Sequence, residues 1–181
     1  MADLVPQLVW DDFFAELQEE SARACAIVGV AVVDDLLRQL LDRALIADSN
    51  ARRLLLGDIT SFDRPLSSLA ARSRAAYCLG LITKSEHDDL ALLGKIRNRF
   101  AHMPQGYSFS ESEIVSWCSS LTTPRQFKQA IGLGSDARQC FELAAVSVAT
   151  ILYSRIAQMP ERPRSPKPYD LAHYVRTDGE Q

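Results

Sequence analysis

Apolar positions recur at helical spacing along most of the chain, and no stretch alternates with the period of two that a half-buried strand requires. From Ala22 to about Ile46 the helical pattern is uninterrupted. Its first half, ACAIVGVAVV, is apolar all round, which predicts a helix surrounded by other helices. Its second half, DDLLRQLLDRALI, is amphipathic: Leu36, Leu37, Leu40, Leu41 and Leu45 face inward, and Asp34, Arg38 and Asp42 form an i,i+4 charge ladder. This segment is the expected central helix, with Gly29 a close-packing point between helices. A second inward stripe, Leu90, Leu93, Ile96 and Phe100, follows the capping box Thr83-Lys84-Ser85-Glu86.

The remaining elements follow from caps and breakers. Asp11-Asp12 can cap a first helix, and Ser21 can separate it from the central one. Asn50–Leu56 is a short helix stopped by Gly57, and Leu66–Leu79 is a further one, with Ser67 or Ser68 near its start and Gly80 after its end. Pro104 and Gly106 end the helix that begins at the capping box, Ser110 opens a short helix, Pro124 starts PRQFKQAI, and Ser135-Asp136 caps a last long helix reaching about Met159. The expected fold is therefore all-α: one multi-helix domain over residues 1–159 around a long central helix, with no recognisable helix-turn-helix. The Pro-rich 160–181 segment is expected to form an extended tail. Val28, Val32, Leu36, Leu40, Leu93, Ile96 and Phe100 are expected to be nearly inaccessible.

Composition agrees with this pattern. The 181 residues include 23 Leu and 22 Ala against only 8 Gly and 8 Pro, which favours helices over many tight turns. The net charge of -3 leaves no basic surplus, so nucleic-acid binding would need a local patch, and direct tight DNA binding is disfavoured. Cys25, Cys78, Cys118 and Cys140 lack a CxxC and read as buried free thiols of a reducing compartment. With His87, His102 and His173 scattered, neither a metal nor a cofactor is implied. The longest apolar run, Ala24 to Val33, falls short of the roughly 20 residues a membrane span needs. Without a secretory signal, a cytoplasmic location follows as an expectation.

The chemistry-bearing candidate is Arg97-Asn98-Arg99-Phe100-Ala101-His102, at the end of the second stripe. Arg97 offers a planar fork for phosphate, His102 titrates near neutrality, and Asn98 lies four residues before His102. Five residues separate Arg97 and His102, about 140° around an ideal helix, so they share a face only if the helix bends or ends between them. In the alternative reading the cluster is structural, with Arg97 bonded to helix C-terminal carbonyls or buttressed by Asp34 and Asp35, and His102 resting at the negative helix end. His87, among Glu86, Asp88 and Asp89, fits a helix start better than a metal site. Gly132-Leu133-Gly134 lacks the strand and third glycine of a nucleotide loop. Arg52-Arg53 and Arg72/Arg74 read as solvated faces, and Arg125-Gln126-Phe127-Lys128-Gln129 is a poor DNA-reading helix.

The ordered set AIVGVAVVDDLL, Leu54-Leu55-Leu56-Gly57, PLSSLAARSRAAYCLGLI and IRNRFAH resembles the mannitol operon repressor family over roughly residues 15–118. The resemblance implies an all-helical regulator that represses a sugar-uptake operon. Together with the acidic charge, it favours action through a protein partner, or a dimer with a local basic surface, over a classical DNA-reading helix. RNRFAH also resembles the R-x4-H motif of HEPN-domain ribonucleases, with Arg97, Asn98 and His102 in matching places. That resemblance implies metal-independent RNA cleavage at a homodimer interface. A non-catalytic helical adaptor is the third reading.

Overall fold

The computed structural model describes residues 5–57, 65–103, 106–125 and 136–160, with side chains from residue 12 onward. The described residues form helices and no strand: α1 (Val5–Glu19), α2 (Ala22–Ala44), α3 (Ser49–Leu56), α4 (Leu69–Cys78), α5 (Lys84–His102), α6 (Ser112–Ser120) and α7 (Ala137–Gln158). A further helical stretch opens at 122–125. The segment 161–181, Pro104, Gly132-Leu133-Gly134 and most of PRQFKQAI lie outside the described residues.

As the pattern predicts, α2 is central. It packs most extensively on α7 and also on α5, α4, α1 and α3. Gly29 makes the α2–α7 approach possible: a Cβ there would lie 3.3 Å from the Phe141 ring and 3.6 Å from Ala145. The apolar half of α2 is nevertheless not covered on every side. Cys25, Ala26, Gly29, Val30 and Val33 are buried, whereas Val28 and Val32 are only half-buried and Ile27 is 39% exposed. The neighbouring helices cover the arc that carries the first set, and the second set lies at its edge. The other expected core positions, Leu36, Leu40, Leu93, Ile96 and Phe100, are buried.

Several ends differ from their sequence expectation for identifiable reasons. Helix α1 begins at Val5, ahead of Asp11-Asp12, because Pro6 is tolerated in a first helical turn. Ser21 does separate α1 from α2, its Oγ accepting the Ala24 N–H at 3.2 Å. Arg138 holds this joint by donating to the carbonyls of Leu17, Gln18 and Glu20 at 2.8, 2.9 and 2.7 Å. Glu142, 2% exposed, neutralises that guanidinium at 2.7 Å. Helix α4 starts later than expected, at Leu69 under a Ser68 cap, and α6 starts at Ser112 without a side-chain cap. The capping box at Thr83 and Glu86 is complete.

The charge ladder on α2 does not form. Asp34 pairs with Arg72, Asp42 with Arg52 at 2.7 Å, and Arg38 with Asp35 at 3.4 Å. Arg72 and Arg52 are thus tertiary anchors rather than solvated residues. Cys78 is exposed at the end of α4, contrary to the expectation of four buried thiols, and Cys140 is half-buried. Helix α7 is long and apolar enough to cross a membrane by length and composition. It packs on α1, α2, α5 and α6, and buries Phe141, Val148 and Leu152.

Candidate functional site: a basic groove between α4 and α5

Helices α4 and α5 carry the PLSSLAARSR and RNRFAH segments and pack against each other. Gly94 leaves room for Leu69 of α4, since a Cβ there would meet Leu69 Cδ2 at 3.1 Å. Small residues around this contact, Ala70, Ser73, Ala91 and Gly94, leave a groove of about 530 Å³. Leu69 and Leu90 supply its apolar lining, and Arg74, Lys95, Arg97, Asn98 and His87 its polar lining. His87 is fixed at the first turns of α5. Its Nδ1 lies 2.7 Å from Ser73 Oγ, and its ring stacks on Tyr77 at 5.3 Å and 12°. Among the described residues no three His, Cys, Asp or Glu side chains could hold a metal ion.

Among the described residues no carboxylate lines the groove. The acids of α5 are engaged elsewhere. Glu86 accepts two hydrogen bonds from Arg155 at 2.5 and 2.8 Å, and one from the Thr83 N–H at 2.8 Å. Burial alone would raise its carboxyl, but these donors together hold it below the ordinary glutamate value. Asp88 pairs with Lys84 at 2.7 Å. Buried Asp89 accepts the backbone N–H groups of Thr122 and Thr123 at 2.8 and 3.3 Å. The cations have fewer partners. Arg74 Nε donates to the carbonyl of Ala70 at 3.2 Å, and Lys95 Nζ lies 4.1 Å from the Trp117 ring centre. Arg97 makes no ion pair or hydrogen bond with the described residues.

Arg97 and Asn98 both line this groove, and His102 does not. Helix α5 continues to His102 without a break, so the separation of about 140° expected of an ideal helix stands between Arg97 and His102. The helix ends only at Met103, whose carbonyl accepts from Arg23 of α2. Asp34 and Asp35 do not buttress Arg97. Asp34 accepts from Arg72 Nε and Nη2 at 2.9 and 2.6 Å, and Arg72 Nη1 donates to the Leu66 carbonyl at 2.6 Å. Asp35 stands on the exposed face of α2 and accepts from Gln39 at 2.7 Å. Sequence reasoning missed Ser73, Arg74, His87 and Lys95 as groove residues. For His87 and Lys95 the signal was the stripe 87, 91, 94, 95 and 98, opposite the buried stripe of α5; Ser73 and Arg74 stand on α4, outside it.

Behind the groove, Phe100 anchors the chain that follows α5. Its ring meets Tyr107 edge-on at 5.3 Å and Phe109 at 4.7 Å, and Phe109 touches Phe141 of α7 at 5.3 Å. The central helix, the Asp34–Arg72 pair, the groove and this aromatic chain thus join the segments of the sequence resemblance in one unit.

The family model described as mannitol repressor matches residues 11–139, and the chain belongs to that family. The mannitol operon repressors of Escherichia coli strain K12 and of Escherichia coli O6:H1 strain CFT073 are each 26% identical to it over 117 residues. These matches cover 61% of this chain and 60% of the length of those relatives. The X-ray structure of the MtlR–HPr complex from Escherichia coli is similar in fold, with a TM-score of 0.58 at 20% identity. That likeness covers 83% of this chain and 99% of the other.

Proposed function

We propose that this protein is a cytoplasmic regulator that represses a mannitol-type sugar-transport operon by engaging a protein partner of the HPr kind. Membership of the mannitol repressor family over residues 11–139 carries the reading. The similar solved structure, a repressor of this kind complexed with HPr, supports the partner. The surface supports an indirect route. Helix α5 follows α4 across a turn, but its start carries Glu86, Asp88 and Asp89 against the single cation Lys84, itself paired with Asp88, where a DNA-reading helix presents cationic or amide side chains. The ribonuclease alternative would need a second copy of the chain to bring Arg97 opposite His102, because an unbroken helix turns these two to different faces, whereas Asn98, four residues before His102, stays on its side.

The test is a reporter fused to the operon's promoter, measured with and without the partner gene in cells that express this chain. The expected result is repression that changes when the partner is removed and the chain's level is constant. Repression indifferent to the partner, with tight operator binding by the purified chain alone, would overturn the proposal.

A further inference from the structure

We propose that the α4–α5 groove is a binding site for a small phosphate ester, held by Arg74 and Arg97. The inference is independent of the regulatory reading. The chain as a whole carries a net charge of -3, yet among the described residues three cationic side chains and no carboxylate line this one concavity. Like charges gathered without counter-charges repel each other, and a dianion relieves that repulsion. The acids close in sequence cannot do so. Glu86, Asp88 and Asp89 are committed to Arg155, Lys84 and the Thr122–Thr123 backbone.

The donors suit phosphate. Arg74 spends only its Nε on its own helix, leaving the outer nitrogens of its fork without partners among the described residues. Arg97 has its whole fork uncommitted there. A guanidinium fork matches phosphate oxygens bidentately, which a lysine cannot do. The groove also holds more than a bare anion. Its volume of about 530 Å³ lies in the range of small-molecule sites, and an organic moiety would rest on Leu69, Ala91 and Gly94 while the Asn98 amide meets its hydroxyls. The close approach at Gly94 gives the groove a floor that a side chain at that position would displace.

The test is a ¹H–¹⁵N NMR titration of the full chain with inorganic phosphate and with glycerol 3-phosphate, ionic strength held constant with chloride. The expected result is saturating shifts at Ser73, Ala91 and Gly94, with glycerol 3-phosphate the tighter of the two. Arg74→Gln with Arg97→Gln should weaken binding by about tenfold or more, since hydrogen bonds to charged groups are each worth roughly that factor. Ala91→Phe, at an exposed position, should fill the groove and remove the preference for glycerol 3-phosphate with every charge retained. Arg53→Gln, which neutralises one exposed arginine on α3 outside the groove, should leave the affinity unchanged. The proposal is overturned by an absence of saturating shifts in the groove. It is equally overturned by equal weakening in Arg53→Gln, or by an unaltered preference in Ala91→Phe.

Discussion

Replacing Arg72 by Met removes three donors from a site that water barely reaches. Arg72 is 8% exposed, and its guanidinium serves both oxygens of Asp34 and the Leu66 carbonyl at 2.6 to 2.9 Å. Removing one partner of a buried pair costs about 3–5 kcal/mol, because the remaining charge is left uncompensated. The Asp34 side chain keeps 24% exposure, so water softens that cost towards the lower bound, about 3 kcal/mol. For a chain of this size that corresponds to a fall of about 6–12 °C in Tm. Asp34→Leu combined with Arg72→Met removes both charges and should recover part of the loss, since apolar replacement of a buried pair is often close to neutral. Arg97→Ala serves as the contrast. If Asp34 belongs to Arg72, the Arg97 change should stay within about 0.5 kcal/mol. Urea unfolding of the two single charge-pair variants, the double variant and Arg97→Ala measures all four quantities. The reasoning is refuted if Arg72→Met is near neutral, if the two losses simply add, or if Arg97→Ala is as harmful as Arg72→Met.

Phe100→Ala should cost about 3–5 kcal/mol in the same assay, because a fully buried ring leaves a cavity between α5, Phe109 and α7. Thiol labelling at neutral pH should modify Cys78 first and spare Cys25 and Cys118, whose pKa burial pushes up to about 12, until the chain unfolds. Acid should weaken the tie between α5 and α7. The folded-state pKa of Glu86 is depressed, so its stabilisation is present above the ordinary value of 4.5 and fades as pH falls through the lowered folded value. Glu86→Gln should flatten that part of the curve of stability against pH.

Local signals were legible and tertiary ones were not. The capping box at Thr83 and Glu86 and the stripe through Phe100 involve neighbours one turn apart, so spacing and residue type suffice to read them. Gly29 was equally legible, because a glycine inside an apolar helix has few other uses. The partner of Asp34 was not. Arg38 lies at the right spacing on the same helix, whereas Arg72 lies 38 residues away and wins because it also satisfies Leu66. The groove was hidden for a related reason. Ala70, Ala91 and Gly94 look like unremarkable helix residues until two helices are set side by side and the missing side-chain volume falls in one place. Arg97 and Asn98 were found through their chemistry, but their relation to His102 depended on where α5 ends, and Met103 rather than an earlier residue caps it.

The most direct measurement of the central claim is calorimetric titration of the purified chain with HPr from its own organism, beside a titration with the operator duplex at physiological salt. The account predicts saturable binding of HPr and only weak, steeply salt-dependent binding of DNA. Tight, sequence-selective binding of the duplex with no heat from HPr would contradict it.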